Sequence, residues 1–151
     1  MRETVPTRHA AKALLYTPCD RILLTMGDRP LGQGGRWNLL GGGIDPGESS
    51  RKALDRELEE ELGPQFPVAD LRMRLDGVID GEVVDRNGNH LRANWDVYTG
   101  PLPDSSINNL DFRRVALMDP YEVMRLIASQ HVSELAVRAI LDYGLPRLGT
   151  R

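Results

Sequence analysis

The chain has 151 residues, 22 acidic against 19 basic side chains and a formal net charge of −3 at pH 7. That length fits one domain, spanning 1–151, with room for a proper core, and the acidic balance argues against a broad polyanion-binding surface. A single cysteine, Cys19, excludes an internal disulfide and suits a reducing cytosol.

The N-terminal segment carries Arg2, Glu3, Arg8 and Lys12 without the apolar stretch of a signal peptide. No apolar run approaches the ~20 residues of a membrane span. A cytoplasmic location without membrane attachment is therefore the expectation.

In chain order, Ala10 to Thr17 and Arg21 to Met26 read as strands around a Pro18-Cys19-Asp20 turn. Gly27 to Arg36 reads as a loop, and Trp37 to Leu40 as a short strand leading into Gly41-Gly42-Gly43. Three glycines let backbone approach a ligand closely, and Asp45-Pro46-Gly47 is a turn in which proline presets φ. Ser49 is the expected N-cap of a helix over Ser50 to Leu62, ended by Gly63-Pro64.

Beyond it, Leu71 to Ile79 and Glu82 to Asp85 look extended, and Asn87-Gly88 signals a hairpin returning through His90 to Tyr98. Phe112 to Met118 reads as a further strand. Asp119, with Pro120 and Glu122 behind it, caps a helix. In the last helix Val132, Leu135, Ala136, Ala139 and Ile140 share one face, spaced to pack on a sheet. This mixed order suits an α/β sandwich.

The chemistry concentrates in the helix after the glycines. At about 100° per residue, Leu54, Leu58 and Leu62 form a buried stripe, with Glu57, Glu60 and Glu61 inside an arc of roughly 100° beside it. Like charges at i,i+4 cost an isolated helix about 0.2–0.5 kcal/mol, a penalty that a cation between Glu57 and Glu61 would remove. Seven acids against three bases lie between Gly42 and Gly63. A phosphate substrate would need to arrive there with cations, and Mg²⁺ prefers such oxygen ligands while keeping substrate phosphates in its shell. Arg56 is placed to orient a carboxylate. His9, His90 and His131 form no recognisable metal motif.

The residues Gly42, Glu48, Arg56, Glu57, Leu58, Glu60, Glu61 and Gly63 fill the pattern Gly-x5-Glu-x7-Arg-Glu-U-x-Glu-Glu-x-Gly-U, where U is bulky and apolar. In this the chain resembles the Nudix hydrolases, the MutT-like pyrophosphohydrolases. The resemblance covers 23 of 151 residues and departs at Pro64 and at Leu40, neither of which is a carboxylate. It implies an α/β/α sandwich with a mixed central sheet and Mg²⁺-dependent hydrolysis of a diphosphate linkage, with Mn²⁺ able to substitute.

The resemblance further implies that Glu57, Glu60 and Glu61 hold or organise the metal. Glu57 is a ligand or base fixed by Arg56, Glu48 contacts the metal or its water, and Gly41 or Gly42 supplies a carbonyl. Relatives often add a loop carboxylate before the last strand, for which Asp111 is the nearest acid. Arg29, Arg36 and Trp37, with Gly41, Gly42 and Gly43, are the candidate substrate contacts, and core packing is the alternative for Trp37.

The substrate class so implied is a small nucleotide, a nucleoside triphosphate or nucleotide sugar, with pairing into a homodimer compatible. Where ADP-ribose hydrolases often carry a proline, Val78 and Ile79 stand. Two other readings are a nucleotide sensor without turnover and an RNA-end processing enzyme. The second is disfavoured because a nucleic acid polymer would call for a basic track.

Overall fold

The computed structural model describes residues 6–27, 35–84 and 87–144. Six strands form one mixed sheet: β1 (Thr7–Tyr16), β2 (Ile22–Thr25), β3 (Leu40–Gly43), β4 (Arg74–Val84), β5 (His90–Pro101) and β6 (Val115–Met118). Their order is β4-β5-β1-β2-β6, with β3 also paired to β1. The β1–β5 pair is parallel and the others are antiparallel. Helices α1 (Ser50–Leu62), α2 (Pro120–Ala128) and α3 (Glu134–Ala139) accompany the sheet, α3 running on into a π-helical turn over Ile140–Gly144, with 3-10 turns at Val68–Asp70 and Asp104–Asn109.

Alternation along β1 sends Ala11, Ala13 and Leu15 to one face and Ala10 and Leu14 to the other, so the sheet separates two cores. On the first face lies the leucine stripe of α1. Leu54, Leu58 and Leu62 are fully buried there, each contributing about 1.5–3 kcal/mol relative to exposure. On the second face Leu135, Ala136, Ala139 and Ile140 of the last helical segment pack on Trp95, Val97 and Ile79.

Local signals act as the sequence implies at several ends. Ser49 Oγ accepts the Lys52 N–H at 3.2 Å, and Asp119 Oδ1 accepts the Glu122 N–H at 2.8 Å. Both bonds satisfy donors that a helix start leaves unpaired.

Three expectations change. The strand expected at Trp37 to Leu40 lies later, so that the glycine triplet is itself strand: Leu40 to Gly43 pair with Ala13 to Ala10. The two extended stretches expected between Leu71 and Asp85 are one long strand, β4, with an irregularity between Leu75 and Gly77. The strand expected from Phe112 begins only at Val115, because the preceding backbone turns at Asp111, whose carbonyl accepts from Arg114 and Val115.

Candidate functional site

The site is built where α1 runs beneath β3. Gly41 has φ +110, and a Cβ there would fall on the Ala11 carbonyl oxygen and lie 2.9 Å from Lys12 Cα. Only glycine lets β3 come this close to β1 while following that path. The reward is local: the Gly41 N–H points to α1 and donates to Glu61 Oε1 at 2.6 Å. At Gly42 a Cβ would stand 2.6 Å from the Glu57 carboxyl carbon. The Glu57 carboxylate therefore fills the space a side chain would have taken.

Arg56 ties the turn to the helix. Its guanidinium donates to both Glu48 oxygens at 3.0 Å, to Glu57 Oε1 at 3.0 Å and to the Gly43 carbonyl at 3.2 Å. Asp45 lies 3.4 Å from the same head group. The Arg56 bonds, with the Asp45 N–H, hold the Glu48 carboxyl down at about 2, and in return push Arg56 up. Glu48, expected at the metal or its water, has both oxygens bonded to Arg56 here. Arg56→Lys keeps the charge but loses the fork. Steady-state assays of that variant should show kcat/KM lower by about 10–100-fold, the range for losing an orienting partner.

Glu61 is only 7% exposed. Burial pushes its carboxyl up to about 7, against the Gly41 N–H and the Lys12 ammonium, which favour the charged form. Lys12 was not singled out in the sequence. It is 8% exposed, its Nζ sits 4.8 Å from the centre of the Trp95 ring, and burial lowers its pKa against the pull of Glu61 and Glu57.

Glu60 is exposed on the same helix. Asp111 lies past the end of α1, its N–H bonded to the Leu62 carbonyl and its carboxylate to Arg113 at 2.9 and 3.2 Å. That arginine holds its pKa down. Arg29 lies outside the described residues.

Two cavities adjoin this cluster. The smaller, about 130 Å³, is lined by Lys12, Gly41 and Glu61 together with Arg36 and Asn38. Arg36 and Asn38 also line the larger, about 680 Å³, with Trp95, Ser133 and Glu134. Ser133 Oγ is buried there without a hydrogen-bond partner. Both tryptophans pack in the core. Trp37 lies against it, its backbone bonded to His131 and Ser133, and Trp95, only 7% exposed, is part of it and also edges the larger cavity.

Among the described residues no three His, Cys, Asp or Glu side chains converge closely enough to hold an ion as they stand. Glu61 is turned to Gly41 and Glu57 to Arg56. The donor set nevertheless suits a hard divalent cation: three carboxylates on adjacent turns, one nestled against glycine backbone and one buried with a raised pKa. Such a carboxylate gains from a cation more than a solvated one does.

The NUDIX domain model matches residues 6–127 of the chain. A nucleoside triphosphatase, NudI, from Salmonella arizonae is 51% identical over 37 residues, 24% of this chain and 26% of that protein. The match therefore spans about a quarter of the relative's length.

Among solved structures, the E. coli dihydroneopterin triphosphate pyrophosphohydrolase superposes with a TM-score of 0.68 at 17% identity, covering 95% of this chain and 99% of that one. The MutT protein from Methanosarcina mazei Go1 gives 0.62 at 17% identity, over 99% and 100%. These likenesses show a shared fold, the mixed sheet between helices described above. With a family model covering most of its length and this architecture, the chain belongs to the Nudix family.

Proposed function

We propose that this protein is a divalent-cation-dependent pyrophosphohydrolase acting on a nucleoside diphosphate linked to another moiety, with Mg²⁺ as the working ion. Nucleoside triphosphates and nucleotide sugars are the favoured classes. The observation that carries the reading is the placement of Glu57 and Glu61 against the glycine strand, with Glu61 lining a small cavity that shares Arg36 and Asn38 with a larger one. The larger cavity takes the nucleoside end, where Trp95 offers an apolar wall. The smaller takes phosphate. The nucleoside triphosphates in the name of NudI are in keeping with this division.

Glu57, Glu60 and Glu61 would hold the cation, with Gly41 or Gly42 carbonyl oxygen as a further donor. When bound, such an ion neutralises phosphate oxygens and lowers the pKa of water. The chain's own contribution is orientation. Arg56 fixes Glu57 as a ligand or as the acceptor of a proton from the attacking water, and β3 holds backbone N–H and carbonyl groups against the helix. Arg36 at the junction of the cavities meets the phosphate chain from the opposite side. No helix among the described residues is long and apolar enough to cross a membrane, in keeping with a small diffusible substrate.

A product-mass screen with Mg²⁺ across nucleoside triphosphates, nucleotide sugars and dinucleotides tests the reading. Hydrolysis of one class to a nucleoside monophosphate is the expected outcome, and Glu60→Gln should slow it by about 100-fold or more. Tight binding of one class with turnover of none would favour a nucleotide sensor instead.

A further inference from the structure

We propose that Lys12 is a substrate-binding residue, its ammonium contacting non-bridging oxygens of the substrate's diphosphate in the small cavity beside Glu61. The inference rests on the pyrophosphohydrolase reading and adds to it a group that lies outside the glycine-to-helix motif.

A lysine is rarely buried unless paired, because removing the ammonium from water is costly. Lys12 is buried in the middle of a strand, and two features of the fold put it there. The parallel register sets Trp95 opposite Ala10, one pleat along β1 from Lys12. The small side chain of Ala10 leaves the indole room to lie beneath the ammonium, 4.8 Å from ring centre to Nζ. On the other flank Gly41 pairs with Lys12, and the two residues line the small cavity together. The aromatic ring fixes the lysine head at the edge of that cavity.

The anions facing Lys12 are Glu61 and, more weakly, Glu57. One Glu61 oxygen is already used by the Gly41 N–H, and in the proposed mechanism both carboxylates turn to a cation. The ammonium then needs another anion. The cavity it lines also holds Arg36, so the two cations approach a phosphate group from β1 and from the segment before β3, while the glutamate-bound ion approaches from the helix. A point-like ammonium suits rotating phosphate oxygens, whereas Arg36 supplies a planar fork.

The competing account makes Lys12 only the counter-charge of Glu61, and the two differ in sign for cation binding. Methylenediphosphonate, a diphosphate that cannot be cleaved at its bridge and carries no nucleoside, is titrated calorimetrically in saturating Mn²⁺. Mn²⁺ alone is titrated by electron paramagnetic resonance. For Lys12→Met, diphosphonate affinity should fall at least tenfold and KM should rise, while Mn²⁺ alone binds as tightly as in wild type or more tightly. Lys12→Arg should recover part of the diphosphonate affinity.

Diphosphonate affinity within twofold of wild type overturns the proposal, and so does a fall matched by an equal fall for Mn²⁺ alone. If Lys12→Met does not fold, Trp95→Phe serves. Loosening the seat of the ammonium should weaken the diphosphonate threefold or more, and an unchanged affinity overturns the proposal. Wild-type protein that neither binds the diphosphonate nor hydrolyses nucleotides would sink the parent reading instead.

Discussion

Glu61→Gln should lower kcat/KM by about 10²–10³-fold and, in the absence of divalent cations at pH 8, make the fold more stable. The amide oxygen of glutamine can still accept the 2.6 Å bond from Gly41, so the strand keeps its seat on the helix. What the substitution removes is an ionised carboxylate in a poorly hydrated place. The Glu61 pKa rises from an ordinary 4.5 to about 7 on folding, so its ionisation opposes the fold. Its contribution is fully favourable below about 4.5 and is lost as pH climbs through about 7.

That displacement, with the pull of Lys12 already in it, corresponds to about 3 kcal/mol at pH 8. Leaving the buried Lys12 without its counter-charge offsets part of it, for a net gain of about 1–2 kcal/mol. Chemical denaturation at pH 5 and pH 8 reads it directly. The variant's advantage should be present at pH 8 and absent at pH 5. Mn²⁺ at a hundredfold excess over its dissociation constant stabilises whatever binds it by about 2.7 kcal/mol, and should reverse the order of the two proteins at pH 8. A variant less stable than wild type at both pH values would contradict this account of the site.

Gly41→Ala should be the most damaging single methyl group in the motif. Its Cβ would meet the Ala11 carbonyl oxygen and stand 2.9 Å from Lys12 Cα, both backbone atoms of the central strand, at a φ of +110. Neither obstacle is a flexible side chain that could swing away. Left-handed strain and overpacking each cost about 1–3 kcal/mol, so a loss of about 3–5 kcal/mol is expected. In a domain of this size that lowers Tm by about 10 °C. The strand can relieve the clash only by peeling from β1, which withdraws the N–H from Glu61. Activity should therefore fall with stability, and a thermal melt within 2 °C of wild type would show that β3 does not lie against β1 as described.

The parts legible in the sequence were those set by neighbours a few residues apart. Leu54, Leu58 and Leu62 announce their shared face by spacing, Ser49 and Asp119 announce caps by chemistry, and the carboxylates of α1 follow the same 3.6-residue geometry. That helices pack on the sheet follows from those periods. The illegible parts depend on contacts across the sheet.

Lys12 stands among alanines with no alternation to give it a face. Its burial is decided by Trp95, 83 positions away on a parallel strand. Glycine triplets read as loop, yet here β1 pairs with them because nothing projects between the strands. Gly81 looks like a break between two extended stretches. It instead sits mid-strand because Leu135 packs where its Cβ would be, 2.5 Å away.

The central claim is that α1 carboxylates and the glycine strand together grip a divalent cation. Diffraction at the manganese absorption edge from crystals soaked in Mn²⁺ tests it most directly. The expected result is an anomalous peak bonded to oxygens of at least two of Glu57, Glu60 and Glu61. Manganese bound elsewhere with this cluster vacant, in a protein whose turnover persists under chelator, would contradict the account.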